Sequence, residues 1–545
     1  MLLVRGLLRL VAFGIIVRVG VAVHSTPSQR PVVDLGYEIY RATEESNSSA
    51  DYYTFSNIRY AAPPLDSLRW REPAPPRTNR SLIQSNSGPI TCPQATPSWQ
   101  IRTSPGVNEY LGSGIIPNIS YAGLSSLVKS GQEDCLFLDV VVPKDVFDGI
   151  DSGGVKVPVL VWIHGGGFTA GSKTSFGSPE GLLSRGARSS SNANANAFLY
   201  VALNYRLGAF GFLAGASFKE QGGILNAGLL DQRMALHWIQ ENIHRFGVDK
   251  DQVTVFGESG GGGSIMHHIT AGAGRNKSFP PLFNRAIPQS PAHFPYRSPE
   301  ANENAFASFL RHANASTLAQ ARALPEDILV SANARSIGGA RPYASPVYGP
   351  SPDGALILSD PKTHLRRGEF HRGIQVLTGH NSNEGLVLVR AIHTSEEYTA
   401  LLGNILTGAD AHTIDYIAES LYPPIFDGTK GTAGDAIINC NAVSLGLGLG
   451  LGLGPGPGLG FGARARAYLF STHPGLHAQD RFYNPGSQLP SPSYSLVDTG
   501  ADYIVAFATT GEPVSALDGL PEGQGQGQGQ GEGGGILYYL RIYLV

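Results

Sequence analysis

Residues 252–270 read QVTVFGESGGGGSIMHHIT. An apolar, β-branched run stops at Gly257, a serine follows two residues later, and from Gly260 the chain can continue as a helix. A serine at the tip of such a strand-to-helix turn has its hydroxyl pushed into the open. Backbone that turns this sharply needs neighbours without bulk, and Gly257 and Gly261 meet that need. The bare Gly-x-Ser-x-Gly pattern carries little alone, because 69 glycines in 545 residues make a chance match common. The context is what singles out Ser259 as a nucleophile.

Working outward, two further β-branched runs, residues 157–163 (VPVLVWI) and 197–205 (AFLYVALNY), read as buried strands. A helix over about 226–246 lies between the second of these and the strand before Ser259. It opens at Asn226, closes at Gly247, and carries Leu229, Leu236, Ile239 and Ile243 on one stripe. Leu230, Met234 and Trp238 fill another side, so both faces are expected to be covered. Strand, helix and strand at this spacing predict a right-handed crossover in an α/β sheet. At the C-terminal end of the first run stands HGGGF, residues 164–168. Without Cβ atoms, the N–H groups of Gly166 and Gly167 could converge with that of Gly260 on a developing oxyanion. A phosphate-cradling loop is the rival, but the Lys-Ser/Thr pair of a P-loop is missing.

Composition narrows the classes. With 40 Lys+Arg against 43 Asp+Glu the formal net charge is -3, so there is no basic field for a nucleic acid. Hydrophobic residues at 42% suffice for a sizeable core. Residues 1–24 carry a basic start, an apolar stretch interrupted at Arg18, and small residues near Ala22, which reads as a secretory signal peptide. Residues 25–545 then form one domain, secreted, with no apolar run long enough to span a membrane. The tail ILYYLRIYLV carries Arg541 and reads as a strand or a frayed end. Asn47, Asn79, Asn118, Asn276 and Asn314 begin Asn-x-Ser sequons, candidate glycosylation sites on the secretory route. The three cysteines, Cys92, Cys135 and Cys440, allow at most one intramolecular disulfide, and no metal-ligand spacing is present. Low-complexity stretches at 189–197, 445–462 and 523–535 cannot bury enough apolar surface to order themselves, and read as insertions within the domain.

EDCLFLDV (133–140), HGGGF, NYRLGAFGFL (204–213), NAGLLDQRMALHWIQENIHRFG (226–247) and VTVFGESGGG, in that order, resemble the type-B carboxylesterase/lipase family. IRYAAPPLDSLRW (58–70) and SPDGALILSDPKTHLRRGEF (351–370) resemble its flanking segments. The resemblance runs from about residue 30 to 515. It implies an α/β-hydrolase fold, a central mostly parallel sheet flanked by helices, and a serine carboxylic ester hydrolase with a Ser-Glu-His triad.

That fold orders its triad as serine, then acid, then histidine. Glu384, in GHNSNEG just past the strand-like GIQVLTG (373–379), fits the acid position and matches the family's acid motif. Asp353 is the rival and reads better as a turn residue. His393 follows Glu384 too closely, leaving His412, His473 and His477. The family's histidine segment, a strand ending in a loop with Gly-x-His and a following Asp, singles out His477 in YLFSTHPGLHAQD (468–480). His477 would take the Ser259 proton as the oxygen attacks an ester carbonyl, and water would hydrolyse the acyl-enzyme, with no metal or cofactor required. Glu258 is expected as buried support beside the nucleophile.

The resemblance also implies a Cys92–Cys135 disulfide closing a loop that acts as a lid in lipase members. Here that loop holds Trp99, Tyr110, Ile115, Ile116 and Tyr121. It could cover a cleft and make transient contact with a lipid surface, or pack as a plain surface loop. Four departures stand against the family pattern. Residues 310–324 lack the cysteine of a second disulfide, Leu-Gly repeats replace a helix before the histidine strand, Gly260 stands where Ala is commoner, and Gly-Gln repeats replace the C-terminal segment. The rival from another class is a catalytically silent, esterase-like binding or adhesion protein. Acyl and alcohol specificity, esterase against lipase, and oligomeric state are not set by these residues.

Overall fold

The computed structural model describes residues 30–46, 51–97, 131–153, 156–175, 178–188, 197–274, 278–339, 347–388, 392, 394–406, 409–423, 465–471, 475–480, 494–513 and 540–544. The signal-peptide segment, the candidate lid residues Trp99, Tyr110, Ile115, Ile116 and Tyr121, Cys440, His393, His473, the Gly-rich repeats, and Asn47, Asn118 and Asn276 lie outside the described residues.

In chain order the strands are β1 (Val32–Asp34), β2 (Ile39–Arg41), β3 (Glu44–Ser46), β4 (Tyr52–Arg59), β5 (Ile83–Gln84), β6 (Phe137–Pro143), β7 (Val157–Ile163), β8 (Leu199–Leu203), β9 (Val248–Glu258), β10 (Arg285–Gln289), β11 (Gln375–Asn381), β12 (Ala465–Phe470) and β13 (Leu540–Leu544). β1, β2 and β5 form a small sheet, and the other ten form one sheet in the order β13-β12-β11-β10-β9-β7-β8-β6-β4-β3. Its middle, from β8 through β7, β9, β10 and β11 to β12, is parallel. The two edges are antiparallel, with β6, β4 and β3 on one side and β13 on the other. The tail is therefore a strand, paired from Leu540↔Phe470 to Leu544↔Arg466.

Strand alternation sorts the core into two layers. Val159, Val161 and Ile163 of β7 face a layer with Leu229, Leu236, Ile239 and Ile265, while Leu160 and Trp162 face one with Leu182, Leu183, Ile504, Val505 and Phe507. Each such buried aliphatic side chain contributes roughly 1.5–3 kcal/mol relative to exposure. This two-sided burial is why β7 and β8 are continuously apolar. The crossover helix is Ala227–Asn242, continued by a 3-10 turn, Ile243–Phe246, that ends at Gly247 with φ 81. Leu229, Leu236, Ile239 and Ile243 are fully buried, as the periodicity predicted.

Asn226 stands where the helix was expected to open. It precedes the helix with φ 58 and does not cap it with its side chain. The amide instead donates to Asp353 Oδ2 at 2.6 Å and to the Ser351 carbonyl at 2.8 Å. Asp353 in turn accepts from the N–H groups of Ala355 and Ile357 through Oδ1. That makes Asp353 a turn residue, far from an acid role.

Cys92 and Cys135 are joined, Cα to Cα 5.0 Å, across a sequence separation of 43. In the chain-entropy account such a closure stabilises by about 4 kcal/mol. The described part of this loop is tied to the HGGGF turn. Ala95 N donates to Thr169 O at 3.0 Å and Gly171 N to Gln94 Oε1 at 2.9 Å.

Candidate active site

The site gathers at the C-terminal ends of the parallel strands, where open α/β sheets place their crevices. β9 ends at Glu258, the helix Gly260–Ile269 begins immediately after, and Ser259 between them has φ 58 and ψ −122. A non-glycine residue is held there only when its surroundings over-determine it. Ser259 N donates to Gln289 O at 3.0 Å, and its carbonyl accepts from Gly263 N and Ala292 N, both at 2.9 Å. The glycines leave room for this turn. A Cβ on Gly261 would stand 2.0 Å from the Ile163 carbonyl oxygen and one on Gly257 would stand 2.6 Å from it, so the helix start rests on the backbone end of β7.

The HGGGF turn follows β7 on the same edge. Gly166 and Gly167 adopt φ 106 and φ 61, and Phe168 φ 63. A Cβ built on Gly260 would lie 3.4 Å from both Gly167 N and Phe168 N, so this turn's amides border the start of the helix that follows Ser259. Among the described residues nothing accepts from the N–H of Gly166, Gly167 or Gly260. Beneath the turn, His164 is fully buried with its ring stacked on Tyr205, centroids 4.4 Å apart, and Tyr205 Oη donates to the His164 carbonyl at 2.8 Å. Burial pushes His164 down to about 4, so it stays neutral.

Glu384 stands three residues past β11, at the start of a 3-10 turn, Glu384–Val387. Its Oε2 lies 2.5 Å from His477 Nδ1. Oε1 accepts from Ser290 Oγ at 2.6 Å, from Asn381 N at 2.6 Å and from Asn381 Nδ2 at 3.1 Å. His477 comes from the loop after β12, which is stitched to the acid loop by a bridge between Asn383 and Leu476 and by Asn383 N donating to Gly475 O at 2.7 Å. On the imidazole's other side, Glu258 Oε1 lies 3.1 Å from Nε2. The ring therefore sits between two carboxylates.

The electrostatics follow from that sandwich. Burial disfavours the His477 cation, yet Glu258 and Glu384 outweigh it and raise the imidazole to about 9. Burial alone would lift the Glu384 carboxyl, but the His477 charge and the donors on Oε1 hold it below its ordinary value. Asp480 is pushed up, first by burial and then by Glu384. It accepts from Tyr468 Oη at 2.5 Å and from Asn381 Nδ2 at 3.0 Å.

Of the sequence-derived candidates, Glu384 and His477 meet directly, Ser259 occupies the predicted turn, and Gly166, Gly167 and Gly260 adjoin one another. His412 is exposed on the short helix Ala411–Tyr416, outside this site. Asn79 and Asn314 are exposed. Ser290 and Asn381 were not anticipated. The signal available was their position one residue past β10 and at the last residue of β11, the strand ends from which this site is built. Among the described residues no group of His, Cys, Asp or Glu is arranged to hold a metal, and no helix is long and apolar enough to cross a membrane.

Comparison with known proteins gives the chain's family and fold. Residues 39–413 match the model of the "Carboxylesterase family". Carboxylesterase patB of Aspergillus clavatus is 36% identical over 518 residues, covering 90% of this chain and 89% of that protein. A secreted lipase of Arthroderma benhamiae is 31% identical, covering 72% and 73%. The crystal structure of Aspergillus niger EstA superposes with a TM-score of 0.70 over 90% of each chain at 23% identity, a likeness of fold.

Proposed function

The chain belongs to the carboxylesterase family and is a carboxylic ester hydrolase, and from that premise we propose that Ser259, Glu384 and His477 form its catalytic triad. His477 Nε2 takes the hydroxyl proton as Ser259 Oγ bonds to the ester carbonyl carbon. The resulting oxyanion is held by the N–H groups of Gly166, Gly167 and Gly260. Collapse breaks the bond to the alcohol, which leaves with the proton from His477. Water then repeats the sequence on the acyl-enzyme, with His477 again removing and returning the proton. Glu384 orients the imidazole and stabilises its cation.

The observation that carries this reading is the 2.5 Å contact of Glu384 with His477 Nδ1, and the φ of 58 at which Ser259 is held in the strand-to-helix turn supports it. It leaves the silent, esterase-like binding protein as the weaker reading. The same reading includes export through a signal peptide over residues 1–24, a single domain over 25–545, and an ester substrate that is a small or lipid-like molecule. The named secreted lipase among the relatives supports export.

The test is hydrolysis of p-nitrophenyl acetate, butyrate and palmitate by the folded protein and by Ser259→Ala. Turnover confined to the wild type supports the nucleophile, and the chain-length profile separates esterase from lipase. Equal rates in two folded proteins would favour the binding-protein reading.

A further inference from the structure

The turn that carries Gly166 and Gly167 is folded against itself. The Gly166 carbonyl accepts from Thr169 N at 3.1 Å and from Ala170 N at 3.0 Å. A Cβ on Gly166 would stand 2.1 Å from the Ala170 carbonyl oxygen, and one on Gly171, at φ 110, would stand 2.4 Å from that of Gly165. Packing this close leaves residues 165–171 little freedom to shift separately. Whatever grips Thr169 and Gly171 therefore also sets where the amides of Gly166 and Gly167 point.

The grip comes from the disulfide loop. Ala95 N donates to Thr169 O at 3.0 Å, and Gly171 N donates to the side-chain oxygen Oε1 of Gln94 at 2.9 Å. Two further ties reach the turn from the chain after β8, where Gly208 N donates to Phe168 O and Lys173 N to Asn204 Oδ1, both at 2.8 Å. The second of these also leads to the disulfide, because Asn204 Nδ2 donates to Ile90 O at 2.8 Å and to Cys135 O at 3.3 Å. Residues 91–97 belong to no helix or strand, so no ladder of their own fixes them. They are fixed at Cys92 by its bond to Cys135, just ahead of β6, and by Gln132 N donating to Thr91 O at 2.9 Å. The arm thus carries the position of β6 to the turn through one covalent bond and one side-chain acceptor.

We propose that Gln94, on the arm anchored by the Cys92–Cys135 disulfide, is a positioning residue for this turn, acting through Gly171 on the amides of Gly166 and Gly167. This rests on the reading of those glycines as oxyanion donors. Such donors act only when they are preorganised, and a misplacement of about 1 Å can cost on the order of 10²-fold in rate. Without the Gln94 oxygen, the arm keeps the turn only through the backbone of Ala95.

The experiment measures kcat and KM for p-nitrophenyl butyrate together with Ki for a butyl trifluoromethyl ketone. The ketone adds to the attacking serine and places an oxyanion where the turn's amides converge, and neither Ki nor KM depends on the active fraction. In Gln94→Ala kcat is expected to fall about tenfold with KM little changed, and Ki to rise by the same factor. Gln94→Glu keeps an acceptor oxygen and is expected to stay near the wild type in both. Cys92→Ser combined with Cys135→Ser is expected to lower kcat and raise Ki at least as far as Gln94→Ala. The Gln94 variants retain the disulfide, so a poorly folding cysteine variant does not end the test. Unchanged kcat and Ki in folded Gln94→Ala overturn the proposal, and so does a fall in kcat with Ki unchanged, which would mean lost protein rather than a displaced turn. A glutamate variant as impaired as the alanine variant overturns the acceptor role. Failure of the wild type to bind the ketone while it hydrolyses the ester would instead contradict the oxyanion reading, and failure to hydrolyse any ester would contradict the nucleophile.

Discussion

The serine side and the histidine side of this site are built by different means. Ser259 is positioned by backbone: strand, turn and helix are contiguous in sequence, and the turn is locked by carbonyls and amides of β7, β10 and the chain after it. The His477 loop is bridged by backbone to Asn383, but its ring is oriented by side chains, through Glu384 and the Ser290 and Asn381 that hold that carboxylate. A backbone lock tolerates change in polarity and fails on added volume. A polar lattice tolerates small changes in volume and fails on a lost donor or charge. That contrast orders the following expectations.

The largest effect belongs to the lattice's centre. Glu384→Gln keeps shape but removes the charge and favours the wrong imidazole tautomer, and kcat is expected to fall on the order of 10⁴-fold with little change in circular dichroism. A loss below tenfold would mean that Glu258, the other carboxylate on the ring, is the true partner. Next is the backbone lock. Gly261→Ala drives a methyl group into the Ile163 carbonyl, and a destabilisation of roughly 3 kcal/mol is expected in a urea melt. An unchanged midpoint would show that the helix start is not pressed on β7.

Asn381→Ala removes one donor shared by Glu384 and Asp480. An unmet hydrogen bond at buried carboxylates costs about 1–3 kcal/mol, so kcat/KM is expected to drop ten- to a hundredfold with KM little changed. Glu258→Gln has a subtler signature. In the proposed mechanism only neutral His477 takes the serine proton, and the imidazole is raised to about 9, so wild-type kcat/KM is expected to climb with pH toward that value. Removing the Glu258 charge lowers the imidazole, and the rising limb should move to lower pH by about one unit. An unmoved limb would mean that Glu258 does not act on the ring. The smallest effect is Gly260→Ala. A Cβ there has ordinary 3.4 Å contacts, so activity should survive and stability rise by less than ~1 kcal/mol, read by thermal melt.

The same contrast explains what the sequence disclosed. The Ser259 turn is local, so its strand, its glycines and its helix were readable from residues 252–270, as were β7, β8 and the crossover helix from their apolar periodicity. β10 was not, because NRAIPQ is short and carries Pro288 in a central strand, where the missing N–H argues against a strand. Ser290 and Asn381 escaped because a polar residue after a strand reads as an ordinary turn residue until the fold brings two strand ends together. Glu384 and His477 were reached through family resemblance, since neither has a local pattern that sets it apart. The side chain of Asn226, at the helix opening, is held by distant Ser351 and Asp353, and no local pattern announces that partnership.

The most direct test of the central claim is covalent labelling. Wild-type protein treated with a p-nitrophenyl alkylphosphonate, a tetrahedral mimic of the attacked ester, should release one equivalent of p-nitrophenol, and peptide mass spectrometry should place the phosphonyl group on the peptide carrying Ser259. Ser259→Ala should release none. Labelling at another residue, or an equal release from the alanine variant, would contradict the assignment of Ser259 as the nucleophile.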